Sequence, residues 1–151
     1  MTDIIGIEFR YKKYDSTIAK LFYNIDEFRG CYFDIDQAEI IYEDCAESVD
    51  WGWYEYNDFI KLFENRNFLA THFKIAVYPN ESDIRPLTSY MDYVNSKCLA
   101  LYLLVDCEYI EIYAKEDRIL KLLINNARSI SSDTSIKYKT EAKDNRISFI
   151  I

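Results

Sequence analysis

The stretch Leu99-Ala-Leu-Tyr-Leu-Leu-Val105, Asp106-Cys-Glu108, Tyr109-Ile-Glu-Ile-Tyr113 decides the fold. Its first part is a nearly continuous apolar run of strand length, which reads as a central strand buried on both faces. Three polar residues then turn the chain. Tyr109, Glu111 and Tyr113 alternate with Ile110 and Ile112, so the two segments read as a hairpin.

Outward from the hairpin, residues 117–127 carry Ile119, Leu120, Leu123, Ile124 and Ala127 at helical spacing, with Asp117 and Lys121 four apart. Closing strands are expected near 135–140 and 146–151. Upstream, Ser89-x-x-Asp92 resembles a capping box for a helix presenting Tyr90, Met91, Tyr93 and Val94. Residues 79–88 form a polar loop holding both prolines. Residues 68–78 read as one long strand, and Asn57 as the cap of a short helix with Phe59, Ile60 and Phe63.

At the other end, residues 4–10 alternate as a strand. Asp15 or Ser16 caps a helix with an apolar stripe of Ile18, Leu21, Phe22, Ile25 and Phe28, closed by Gly30 in a left-handed turn. Residues 31–35 and 38–44 read as short strands around a turn at Asp36 and Gln37, and 50–55 as a further strand or an irregular loop. This order predicts a single α+β domain, a mainly antiparallel sheet with about four helices packed against it. With half of its 151 residues apolar, the chain is long enough to bury roughly 70% of its unfolded surface without staples.

Charge is distributed unevenly. Residues 30–60 hold nine carboxylates and no Lys or Arg, while the other 120 residues carry seventeen acids and eighteen bases, so one segment supplies the net charge of −8. Such a balance argues against nucleic acid as a partner, because phosphate binding leans on clustered bases. The small basic group Lys137, Lys139, Lys143 and Arg146 reads as a solvated strand face. The N-terminus lacks the basic-then-apolar order of a signal peptide, and the longest apolar run falls far short of the ~20 residues that span a bilayer. A cytoplasmic protein with no membrane contact is expected. Cys31, Cys45, Cys98 and Cys107 form no Cys-x-x-Cys pair and read as free thiols, with no metal and no cofactor.

Among residues able to do chemistry, Asp34 and Asp36 stand two apart at a strand end, a spacing that can hold Mg²⁺ or serve phosphoryl transfer. No alternating parallel frame accompanies them, so they read as solvated turn acids. His72 reads as a partly buried mid-strand histidine with no nucleophile marked nearby. Cys107, flanked by Asp106 and Glu108, faces charges that suppress thiolate formation.

The strongest functional signal is Asp50-Trp-Gly-Trp-Tyr-Glu-Tyr-Asn-Asp58. In an extended chain Trp51, Trp53 and Glu55 share one face, and Tyr54 and Tyr56 the other. Two aromatic faces exceed what a one-sided core needs, which predicts exposed rings. The competing reading has both indoles plugging the core edge. Exposed aromatics ringed by Glu43, Asp44, Glu47, Asp50, Glu55 and Asp58 have the composition of a docking surface for a basic protein. Fourteen tyrosines could alternatively line a ligand pocket with Asp34, Asp36 or His72.

The segments Thr88-Ser-Tyr-Met-Asp-Tyr-Val-Asn-Ser-Lys-Cys98, Leu101-Tyr-Leu-Leu-Val-Asp106, Tyr109-Ile-Glu-Ile-Tyr-Ala-Lys115 and Asn125-Asn-Ala127 resemble an uncharacterised family of small cytoplasmic proteins from Bacillus-like Firmicutes. A weaker echo lies in Ile5-Gly-Ile-Glu-Phe9 and Arg146-Ile-Ser-Phe149. These motifs are structural in character, and residues 30–60 depart most from the pattern. The resemblance implies no activity residue by residue. For some members it implies an immunity role, in which a toxin encoded beside them is neutralised. The expectation is therefore a non-catalytic binding protein, monomeric or weakly dimeric, that blocks a basic toxin through an acidic, aromatic surface.

Overall fold

The computed structural model describes residues 4–10, 17–43, 47–64, 66–105, 109–131 and 135–140. The hairpin is present: β7 (Ala100–Val105) and β8 (Tyr109–Ala114) pair antiparallel, with Tyr102 opposite Ile112. Around it stand β1 (Ile4–Arg10), β2 (Tyr32–Asp36), β4 (Gly52–Glu55), β6 (Phe73–Tyr78) and β9 (Lys137–Thr140). Their order is β4-β2-β6-β7-β8-β1-β9, which puts β7 at the centre. Every described pairing in this sheet is antiparallel. A second, two-stranded sheet joins β3 (Ile40–Tyr42) to β5 (Phe68–Ala70). With α1 (Thr17–Leu21), α2 (Tyr56–Phe63), α3 (Tyr90–Val94) and α4 (Asp117–Ile130), the architecture is the expected α+β.

Alternation along the central strands divides the core in two. Phe73, Ile75, Val77, Tyr102, Leu104, Ile110 and Ile112 join the main core with α1, α2 and α4. Ala76, Tyr78, Leu101, Leu103 and Tyr113 point to the opposite face, where Leu87, Tyr90, Tyr93 and Cys98 cover them. Cover on both faces is why β7 is apolar at successive positions. In α4 the inner stripe is as expected, with Ile119, Leu120, Leu123, Ile124 and Ala127 all buried. Each such Leu or Ile contributes about 1.5–3 kcal/mol. The Ser89 hydroxyl caps α3, accepting from the Asp92 N–H at 3.1 Å. Asp92 reaches back one residue further than a standard box, to the Thr88 N–H at 3.1 Å and hydroxyl at 2.8 Å.

Several expectations are corrected. The stripe of Ile18, Leu21, Phe22, Ile25 and Phe28 is buried, but not as one helix. α1 ends at Leu21, Asn24 adopts φ 61°, and a 3₁₀ turn follows over Asp26–Gly30. Asn tolerates the left-handed region, and the Asn126 amide of α4 donates to the carbonyls of Leu21 (2.9 Å) and Tyr23 (2.8 Å), satisfying the broken end. Gly30 is therefore not a left-handed cap; the glycine with positive φ is Gly52, at 133°. Residue Glu55, not Asn57, occupies the cap position of α2.

The 68–78 strand is two strands in different sheets. They separate at Thr71 and His72, whose backbone groups bond to those of Glu39. Lys139 is buried rather than solvated, its ammonium 3.4 Å from Glu111 and 3.9 Å from Glu8. Lys143, Arg146, the final strand, the caps Asp15 and Ser16, Asp44, Cys45 and Cys107 lie outside the described residues.

Candidate functional site

Among the described residues, β4 is the outermost strand on one side of the sheet. Its residues pair with β2 so that Trp53 lies opposite Asp34 and Glu55 opposite Tyr32. The Trp53 ring meets Tyr32 edge-on at 5.2 Å and remains 44% exposed. Trp51, just before the strand, is 59% exposed, and its indole N–H donates to the Ala38 carbonyl at 2.9 Å. Both indoles thus stand at the surface rather than in the core. The tyrosines point the other way: Tyr54 and Tyr56 pack partly buried against the main core, beside Phe33 in the case of Tyr56. The Tyr54 hydroxyl also donates to the Asp50 carbonyl at 2.8 Å, fixing the approach to the strand. Burial and the neighbouring Asp50 push the Tyr54 phenol up.

The acids around these rings come from several elements. Glu43 follows β3, Glu47 and Asp50 lie between β3 and β4, Glu55 ends β4, and Asp58 is in α2; all are exposed. Only Trp53 and Glu55 share the extended face that the sequence implied for three residues. Gly52, at φ 133°, separates Trp51 from the strand.

Asp34 and Asp36 are not turn acids. They lie on β2 facing away from the main core, opposite Ala76 and Lys74 of β6. With Tyr78 and Arg85, Pro86 and Leu87 of the loop above, they line a cleft of about 10 Å³, the room of one water molecule. Burial, then the Asp36 charge, raises the Asp34 carboxyl to about 6, against a lowering by Lys74. Lys74 is 3% exposed and donates its ammonium to the Leu87 carbonyl; burial lowers it, while Asp36 and Asp34 raise it. His72 stands apart from this cleft, in the gap between β5 and β6, with Nδ1 3.7 Å from Glu39. The cleft can hold a proton or a water between opposite charges.

A family model described as "Protein of unknown function (DUF2691)" matches residues 4–150. The chain belongs to this family. No curated protein and no solved structure matches it. Membership in DUF2691 bears out the expectation of an uncharacterised family and assigns no activity.

A second charged group of this DUF2691 chain lies on the same sheet face, further along. Glu8 and Glu111 are opposite each other on β1 and β8, with the Lys139 ammonium beside both and the Tyr113 hydroxyl donating to Glu111 at 2.8 Å. Glu111 is 1% exposed. Burial pushes the thiol of Cys31 up to about 11 and that of Cys98 to about 12, which makes both inert. Among the described residues no three His, Cys, Asp or Glu side chains form a metal-holding group, and no helix is long and apolar enough to cross a membrane.

Sequence reasoning missed Lys74 and Tyr32. Lys74 did leave a signal, as the single charge inside the apolar strand Phe73-Lys-Ile-Ala-Val-Tyr78. A lone cation buried in a central strand implies carboxylates on a neighbouring one.

Proposed function

We propose that the protein is a non-catalytic cytoplasmic binding protein that docks a basic protein partner through β4 and the acids around it, with occlusion of a basic toxin as the form this takes. The observation that carries the reading is the exposure of both indoles at the sheet edge, each held at one point before any partner arrives. Anchors already fixed reduce the ordering cost of association, and Trp is strongly enriched among interface hot spots. Glu43, Asp44, Glu47, Asp50, Glu55 and Asp58 supply the steering field. A nuclease toxin needs a basic surface to hold nucleic acid, and an acidic inhibitor can occupy that surface. The sequence resemblance of residues 88–127 implies the same form for some members. In this reading the chain itself is a monomer or weak homodimer and touches neither nucleic acid nor membrane. The alternative, a Tyr-lined pocket using Asp34, Asp36 or His72, is less favoured because the cleft at the two aspartates has room for a single water.

The test starts from the tagged protein in its own cell lysate, washed at low and then high salt. The basic protein recovered at low salt is purified and its binding kinetics are measured against wild type and Trp53→Ala. Faster dissociation from the variant supports the reading. Wild-type kinetics for Trp53→Ala, or a protein retained equally at both salts, would overturn it.

A further inference from the structure

The loop over the Asp34 cleft is gripped from both sides at the Leu87–Thr88 peptide. The Leu87 carbonyl accepts from the Lys74 ammonium on the sheet, while the N–H on the other side of that peptide, at Thr88, donates to Asp92 of α3 at 3.1 Å. Two residues upstream, the Arg85 carbonyl accepts from the Tyr78 hydroxyl at 2.9 Å. Leu87 itself is buried among the tyrosines of the second cluster. Residues 85–88 therefore form a strap tied to β6 by two side chains, with Asp34 and Asp36 beneath it.

We propose that the strap, tied to β6 by Lys74 and Tyr78 over the paired carboxyls of Asp34 and Asp36, is a proton-controlled latch, closed over a neutral Asp34 and loosened when Asp34 is ionised. Closing the strap places the Asp34 carboxylate in a cleft with room for one water, next to Asp36 on its own strand. Lys74 of β6 lowers its pKa, and the other titratable or charged groups lining the cleft are Tyr78 of β6 and Arg85 of the strap. Asp92 and Cys98 act on Lys74 from the α3 side. The Lys74 ammonium, which also holds the Leu87 carbonyl, offsets only part of the burial cost of the carboxylate. Opening the strap lets water solvate the ionised carboxylate, so ionisation favours the open form and protonation the closed one.

The sign follows from linkage. The closed-state carboxyl titrates at about 6, and a solvated one at about 4. The open fraction should then rise about tenfold between pH 5 and pH 7.5. Lys74, lowered from 10.5, works in the opposite sense towards the alkaline side. Asp92 is lowered by its bonds from Thr88 and Ser89, so it stays ionised through this window.

The Thr88 amide belongs to the gripped peptide, and its hydrogen exchange, corrected for the intrinsic pH dependence of exchange, reads the latch. In wild type its protection should fall about tenfold from pH 5 to pH 7.5. In Asp34→Asn the fall should vanish, and in His72→Asn it should persist, since His72 stands outside the cleft. Equal protection at both pH values in wild type, or a full pH dependence in Asp34→Asn, would refute the latch. If Asp34→Asn does not fold, the Asp34 carboxyl titration by ¹³C NMR in wild type and in Tyr78→Phe, which removes one tie of the strap, decides: a lower midpoint in the variant supports the latch and an unchanged one removes it.

Discussion

Asp34 and Trp53 stand directly opposite each other across the β2–β4 ladder. The half-buried carboxyl of one and the exposed indole of the other lie on the same sheet face, so the cleft and the edge strand meet at this residue pair. Changes on either side of this pair are expected to separate electrostatic from contact effects.

Removing the indole tests the contact side. Trp53→Ala should lose about 2 kcal/mol of partner affinity, roughly a thirtyfold increase in dissociation rate, with little change in association. Surface-based kinetics with the recovered basic partner measures both rates. A circular dichroism spectrum matching wild type would confirm that the edge strand is intact.

Neutralising the acids should do the reverse. Asp50→Asn, Glu55→Gln and Asp58→Asn combined are expected to slow association about tenfold at low salt and to flatten its salt dependence. Dissociation should change by less than about twofold, because these side chains are exposed and screened. Stopped-flow association at three ionic strengths would show it.

The pH dependence of stability carries a defined sign. The Asp34 carboxyl lies at about 6 in the folded protein, above the ~3.9 of an unfolded chain. The folded state therefore binds the proton more tightly. Its contribution to stability is complete below about 4 and is lost as pH rises through about 6. Solvent screening at a half-exposed group reduces the effect to about 1 kcal/mol. Urea unfolding at pH 4.5 and 7.5 should show wild type losing that amount relative to Asp34→Asn.

Asn126 holds the break in the α1 region from 105 residues away. Asn126→Ala leaves two carbonyls without their donor and should cost about 1–3 kcal/mol. Asn126→Asp should cost more, because a carboxylate would then face the same carbonyls. Chemical denaturation of the two variants gives the order.

What could be read from the sequence follows the range of the interactions. The β7–β8 hairpin and α4 were legible because their signals are periodicities within about 15 residues. The stripe from Ile18 to Phe28 identified buried residues correctly, yet the break at Asn24 depends on a donor in α4 that no local pattern reveals. The division of 68–78 likewise depends on backbone bonds to Glu39. In the site, parity correctly separated Trp53 and Glu55 from Tyr54. It could not say that β4 is an edge, which decides that the indoles are exposed. The meeting of Asp34 and Asp36 with Lys74 required the β2–β6 pairing, set by side chains about 40 residues apart.

The placement of β1 has a consequence for synthesis. Ile4–Arg10 leaves the ribosome well before its strand neighbours β8 and β9, made about 100 and 130 residues later. At about 5–20 residues per second, Ile7 and Phe9 wait several seconds without a ladder to join. Meanwhile β2, β4 and β6, with α2 beside them, are complete within the first 78 residues and can assemble on the nascent chain. Folding is thus expected to begin at the β4 side of the sheet and finish at β1, leaving that strand as the segment most dependent on a chaperone.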